Sequence, residues 1–283
     1  MQPRVVILAD EAHRSHGHST TASLHALLCG GKGQPRHISY VSFTATPSEV
    51  SLRLFGVANH ATGVREPFHC FSLRQALAAG LCVDVLSRYT TARPSASVAD
   101  SHGRPRDLDT ILAASTKRGA STRALLRAAA AHDALLASKA RGALDFVCKA
   151  IAEAEAAGMD DPKAMMVVRS RQHCAAYRRA LLRLLAERSS TADAPPEREN
   201  IATAAGVRRR LGVYVAFSGT LTETVHGDGD RGGSTITLSE RTLNGGEVLS
   251  LFRSGGPALL IVCAKLETGF DEPRVCCMVV DRV

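Results

Sequence analysis

The chain has 283 residues, 45% of them hydrophobic and 22% charged, which excludes collagen-like, mucin-like and wholly disordered polymers and leaves room for about two domains. Lysine and arginine number 35 against 27 acidic residues, a net charge of +8 that suits an anionic partner such as nucleic acid. Tryptophan is absent and aromatics make up 4%, so a base-stacking platform for single strands is not expected.

The first element is Arg4-Val5-Val6-Ile7-Leu8-Ala9. It reads as a buried parallel-type strand that delivers Asp10 and Glu11 at its carboxyl end. A domain rarely opens on its own central strand, so the chain is expected to begin inside a domain, with apolar surface left exposed in its first lobe. Residues 19–29 look helical. Ile38 to Phe43 is a second strand, closed by Thr44-Ala45-Thr46-Pro47, and Ser48 caps a short helix to Phe55. Phe68 to Phe71 reads as a short strand. Residues 72–80 form a short helix with serine at its start and glycine at its stop, and Val83 to Thr91 reads as a strand. These elements make up a first lobe over 1–92.

Residues 93–107 carry proline, serine, arginine, glycine and aspartate with few apolar residues, so a linker is placed at 93–120. A helical connector follows over 121–158. Leu136, Ala140, Leu144, Val147 and Ile151 make one apolar stripe on it, Gly142 is able to divide it, and Gly158 is a plausible stop. A second α/β unit occupies 159–283. Lys163 to Val168 is a strand ending in Arg169-Ser170-Arg171, and 172–188 is a helix. Residues 189–206 read as a solvated insert and 226–234 as a glycine-rich, mobile one. Val213 to Phe217, Ala258 to Ala264 and Val275 to Val280 are strands, with a weak helix over 239–253. The chain stops at a strand end as abruptly as it starts.

Eight cysteines occur with no C-x-x-C pair, several of them in apolar runs. They read as reduced, buried small hydrophobes, which leads to the expectation of an intracellular, reducing, cytoplasm-like compartment. No apolar run is long enough to span a bilayer, and there is no secretory leader pattern at the start.

Alternating strands and helices in two blocks predict an α/β fold with two parallel-sheet lobes. Ligand-binding residues in such sheets gather at the carboxyl ends of strands. The polar clusters Asp10-Glu11, Thr44-Ala45-Thr46, Arg169-Ser170-Arg171, Ser218-Gly219 and Thr268-Gly269-Phe270-Asp271 all follow that rule. Adjacent carboxylates at a strand end suit nucleoside triphosphate hydrolysis: one holds Mg²⁺ through its water shell and the other activates the attacking water. A neighbouring parallel strand would bring the hydroxyls of Thr44 and Thr46 beside His13. His13, His16 and His18 also raise a zinc hydrolase, but no distant ligand completes the set.

Leu8-Ala9-Asp10-Glu11-Ala12-His13-Arg14-Ser15 and Ser42-Phe43-Thr44-Ala45-Thr46-Pro47 resemble motifs II and III of superfamily 2 helicases and translocases. The nearest likeness is to the motor (R) subunit of type I restriction enzymes. It continues through 68–76, 83–91, the motif IV-like Lys163 to Arg171, the strand 215–220 and the motif V-like Leu259 to Pro273. The resemblance implies two RecA-like lobes, both partial here, that hydrolyse ATP with Mg²⁺ and move along double-stranded DNA. Methylation and specificity subunits of a restriction complex are the implied partners, with no membrane. Carried over by position, Asp10 binds Mg²⁺ and Glu11 is the hydrolytic base. His13, Thr44 and Thr46 couple hydrolysis to DNA movement. Arg169, Ser170 and Thr268 contact the DNA backbone, and Gly269 and Asp271 lie near the nucleotide. For Arg169 and Arg171 a plain solvated basic face stays open as the alternative.

The departures are as informative as the matches. The family has a phosphate-binding loop with Gly-Lys-Thr before motif II. Here Gly30-Gly31-Lys32-Gly33 has no serine or threonine after the lysine and no apolar strand before it, so it reads as a surface loop. The family's arginine pair after motif V has no counterpart. The expectation is a fragment of a DNA-dependent ATPase motor, inactive as an isolated 283-residue chain. The alternative is a remnant that at most binds DNA or partner subunits.

Overall fold

The computed structural model describes residues 4–12, 23, 38–92, 97–99, 105–107, 133–189, 203–225 and 234–282. The chain divides into two compact units, Met1–Thr91 and Ala92–Val283. The expected helix at 19–29 lies outside the described residues apart from Ser23, as do His13 and the other two histidines of the zinc reading.

In the first unit, β1 (Val5–Ala9) and β2 (Ile38–Ser42) pair in parallel, Val5 opposite Ile38 and Ala9 opposite Ser42. The strands form where the apolar, β-branched runs predict them, but β1 is not a buried central strand. Val6 and Leu8 are 60% and 68% exposed, since among the described residues only β2 pairs with β1. Helix α1 (Glu49–Phe55) starts as expected at Ser48, whose Oγ accepts the Ser51 N–H at 3.2 Å. Then β3 (Val57–Ala58) and β4 (Arg65–Glu66) make a small antiparallel ribbon. The strand expected at Phe68–Phe71 is not formed. The ribbon stops at Glu66, before Pro67, which has no N–H to continue a ladder. Helix α2 (Leu73–Ala78) carries a full capping box: Gln75 Oε1 accepts the Ser72 N–H at 2.7 Å and Ser72 Oγ accepts the Gln75 N–H at 3.4 Å. Gly80 ends it at φ +68°. Val83–Thr91 is not a strand either. It holds a 3₁₀ turn, Val85–Arg88, where the Ser87 hydroxyl donates to the Asp84 carbonyl at 2.8 Å, a local bond that favours the tight turn.

The second unit opens inside the stretch read as a linker, where β5 (Ser97–Ala99) and β6 (Pro105–Asp107) pair antiparallel. Helix α3 (Asp133–Ala156) runs unbroken through Gly142. It ends as predicted at Gly158, φ +87°, with the Met159 N–H on the Ala154 carbonyl and the Gly158 N–H on the Glu155 carbonyl. Next come β7 (Lys163–Val168) and α4 (Arg171–Ser189), then α5 (Ala204–Arg210), β8 (Gly212–Phe217), β9 (Thr220–Val225) and β10 (Ser234–Ser239). The chain continues through α6 (Glu240–Asn244), α7 (Val248–Arg253), β11 (Ala258–Cys263) and β12 (Val275–Asp281). Strands β12, β7, β11 and β8 form one parallel sheet in that order. The protein is therefore mixed α/β with a four-stranded parallel sheet in its second unit. Helix α5 and the β9–β10 hairpin were not foreseen. They flank the two polar inserts, whose centres lie outside the described residues. The single weak helix expected at 239–253 is two short ones, separated at Gly245, whose φ of +73° ends α6.

Every residue of β7 is buried, and alternate side chains face opposite layers. Ala164, Met166, Val168, Val213, Val215, Leu259 and Ile261 pack under α3, α4 and α5, meeting the predicted stripe Ala140, Leu144, Val147 and Ile151. Met165, Val167, Leu260 and Val262 face Val248 and Phe252 of α7. The outer edge of β8 is closed by side chains of α6. Asn244 Oδ1 accepts the Val215 N–H at 2.9 Å, its Nδ2 donates to the Val215 carbonyl at 2.7 Å, and Glu240 Oε2 accepts the Phe217 N–H at 2.9 Å. The cysteines divide: Cys148 and Cys174 are buried as expected, but Cys70 and Cys82 are exposed, and all seven described cysteines are free thiols.

Candidate functional site

In the first unit the parallel pairing of β1 and β2 sets two strand ends side by side. The Phe43 N–H donates to the Ala9 carbonyl at 2.8 Å and the Ala12 N–H to the Phe43 carbonyl at 3.1 Å. The turn carrying Asp10 and Glu11 thus lies against the turn carrying Thr44 and Thr46. Asp10 Oδ1 accepts the Glu11 N–H at 2.8 Å, and Thr44 Oγ1 accepts the Thr46 N–H at 3.2 Å. Glu11 sits at φ +48°, left-handed backbone that costs a non-glycine residue about 1–2 kcal/mol. Ala12, next in the chain, is fully buried and its N–H is bonded to the Phe43 carbonyl. Such local strain is the kind that concentrates at functional positions. The donors here are hard carboxylate and hydroxyl oxygens, the set that suits Mg²⁺ with its retained waters.

In the second unit the carboxyl edge of the sheet gathers a second cluster. Beyond β7, Arg169 Nε donates to His173 Nε2 at 3.2 Å. Ser170 Oγ lies 2.7 Å from His173 Nδ1 and accepts the His173 N–H at 3.3 Å as the first cap of α4. At the end of β12, Asp281 takes Lys139 of α3 at 2.6 Å and the Tyr177 hydroxyl at 2.5 Å. Burial pushes the Asp281 carboxyl up, but the bonds from Lys139 and Tyr177 outweigh it and hold the group below the ordinary aspartate value. Arg171 is exposed, and its guanidinium also makes a hydrogen bond. Its Nη1 donates to the Thr220 carbonyl at 2.8 Å and closes the β8–β9 turn, where Gly219 at φ +78° would put a Cβ 3.0 Å from that nitrogen.

Beyond β11 the chain makes an unusual turn. Ala264, Leu266 and Gly269 all have left-handed backbone, φ +58°, +62° and +67°. Two of the three are not glycine, so the strain is held by contacts around them. Glu267 Oε1 accepts the Ala264 N–H at 2.5 Å, and its other oxygen pairs with Arg282. Lys265 pairs with Glu240 at 2.8 Å. At the far end Arg274 and Arg253 grip Glu272 at 2.7 and 3.1 Å. The Arg274 bond is the main reason the Glu272 carboxyl is pushed down to about 2. Thr268, Gly269 and Asp271 stand exposed on the loop so braced.

The sequence-based site residues therefore fall into two groups, each at the carboxyl edge of a parallel sheet. Asp10, Glu11, Thr44 and Thr46 come together in the first unit, and His13 lies outside the described residues. Arg169, Ser170, Thr268, Gly269 and Asp271 sit at adjoining strand ends in the second. Sequence reading missed His173, Asp281, Glu240 and Glu267, which do the bracing. The i, i+3 spacing of Ser170 and His173 across a helix start is the one signal that pointed to any of them. Among the described residues no group of histidine, cysteine and acidic side chains makes a metal cage, and no helix is long and apolar enough to cross a membrane. Compared with protein-family models, with the curated proteins and with solved structures, the chain finds no match.

Proposed function

We propose that the chain is part of a DNA-dependent ATPase motor of the superfamily 2 kind, similar to the motor subunit of type I restriction enzymes, with both units partial RecA-like lobes. The observation that carries the reading is the meeting of Asp10-Glu11 with Thr44-Ala45-Thr46 on neighbouring parallel strands, with Glu11 held in strained backbone. Asp10 would hold Mg²⁺ through water, and the ion supplies charge neutralisation on the phosphates. Glu11 takes the proton of the attacking water. Thr44 and Thr46, together with His13 as the resemblance implies, would couple hydrolysis to DNA movement. Arg169, Ser170 and Thr268 take the DNA phosphates, and Gly269 and Asp271 face the nucleotide.

Backbone recognition of this kind is dominated by phosphate contacts, so it depends steeply on salt and little on sequence. The test is the affinity of the full chain for mixed-sequence duplex DNA across a salt series. The reading expects binding whose salt slope falls by about 1 in Arg169→Ala, equally for unrelated duplexes. Absence of duplex binding at low salt overturns it. The implied methylation and specificity subunits are a further part of the proposal, checked by co-purification.

A further inference from the structure

We propose that His173, in its neutral form, is the positioning residue that sets both Arg169 and Ser170 for contact with phosphate oxygens. This rests on the reading of Arg169 and Ser170 as backbone contacts. The geometry fixes the tautomer. A guanidinium has no lone pair to offer, so in the 3.2 Å contact Arg169 Nε is the donor and His173 Nε2 the acceptor. Neutral His173 therefore carries its proton on Nδ1, which donates to Ser170 Oγ at 2.7 Å. One imidazole then does two things. It buttresses the Nε side of the Arg169 guanidinium, and it fills an acceptor site of Ser170 so that the hydroxyl hydrogen turns outward, to an anion.

Protonation undoes half of this. A second proton on Nε2 removes the acceptor for Arg169 and places two cations in contact. Groups near His173 include Arg169 from the β7–α4 turn, which meets its ring, and Asp281 from β12, whose charge interacts with it and whose carboxylate also holds Tyr177 of α4 and Lys139 of α3. Arg282, next beyond Asp281, is turned to Glu267. Asp281 is the anion in that set whose charge interacts with His173. The sign of the effect is thus unusual for a basic chain with 11 histidines. Acid should weaken DNA binding through this residue.

The test uses the full chain and a mixed-sequence duplex at fixed salt, with affinities measured at about pH 8 and about pH 5.5, on either side of the ordinary imidazole value. His173→Ala should weaken binding about tenfold at the higher pH and by a clearly smaller factor, about threefold, at the lower, because the Arg169 buttress exists only in the neutral ring while the bond to Ser170 is lost at both. His173→Gln, whose amide oxygen accepts from Arg169 at any pH, should restore most of the loss. An equal penalty at both pH values means that the ring merely packs, and it overturns the inference while leaving the functional reading intact. No duplex binding by the unsubstituted chain at any pH overturns both. If the alanine variant fails to fold, nitrogen shifts of His173 in the unsubstituted chain decide. A proton on Nδ1 at high pH supports the assignment, and one on Nε2 refutes it.

Discussion

Lys163 begins the central strand β7 at the end of the sheet away from the candidate site, and its side chain is wholly buried. Its ammonium donates to the Gly256 carbonyl at 2.6 Å and the Ser254 carbonyl at 3.1 Å, pairs with Asp161 at 2.9 Å, and stands 5.8 Å from the centre of the Phe252 ring. Replacing it by methionine keeps the volume and removes the charge. Three charge-assisted contacts at ~1.5–3 kcal/mol each are lost, while several kcal/mol of ammonium desolvation are regained. Asp161 keeps Arg274 at 2.7 Å, so its own charge is not left bare. The two carbonyls lose their partner. The balance is a loss of about 2–4 kcal/mol, or roughly 5–15 °C in Tm for a unit of this size. Urea melts of the full chain followed by circular dichroism measure it. A Lys163→Met variant as stable as the parent, or more so, would refute the reasoning and show that desolvation outweighs the contacts.

Three more outcomes follow from the same structure. Glu272, held at about 2 against an ordinary 4.5, contributes stability that is complete above 4.5 and disappears as pH falls toward 2. Urea midpoints should therefore separate parent from Glu272→Gln at neutral pH and converge toward pH 2; a constant gap contradicts it. Burial lifts the Cys148 thiol to about 11 and the Cys174 thiol to about 12, so native labelling should mark exposed Cys70 and Cys82 quickly and spare those two until the chain unfolds. Equal rates would contradict it. Glu267→Gln keeps an acceptor for the Ala264 N–H but loses the pair with Arg282. Amide exchange over 264–269 should quicken severalfold while the β7 amides keep their protection, and unchanged exchange would show that the loop strain is held elsewhere.

The sequence was most legible where one local rule decided the outcome. Ser48, Ser72 and Gly158 act as their capping chemistry requires, and β7 and β11 are near-continuous apolar runs buried on both faces, whereas β12 leaves Met278 and Val280 exposed. It was least legible where tertiary contacts decide. Nothing local distinguishes Val83–Thr91 as a turn until the Ser87 bond is seen, and the β9–β10 hairpin hides beside a glycine-rich stretch whose composition masks it. Lys163 reads as the polar start of a strand, and only the carbonyls of a loop about ninety residues away make it a buried cation. The candidate site divides in the same way. Asp10, Glu11, Thr44, Arg169 and Thr268 stand out because strand ends are where polar residues interrupt apolar runs. His173, Glu240, Glu267 and Asp281 look like ordinary surface residues, and their roles come from partners distant in sequence.

The proposal that these residues belong to a motor is tested most directly by Mg·ATP turnover in the native product that carries them, with and without linear duplex DNA. The account predicts turnover stimulated by the duplex, and a Glu11→Gln variant that keeps ATP binding while losing turnover by roughly 10²-fold or more, the scale of a missing general base. It also predicts no turnover by the 283-residue chain alone, which has no Gly-Lys-Thr loop. Turnover that duplex DNA leaves unchanged, or that survives intact in Glu11→Gln, would contradict it.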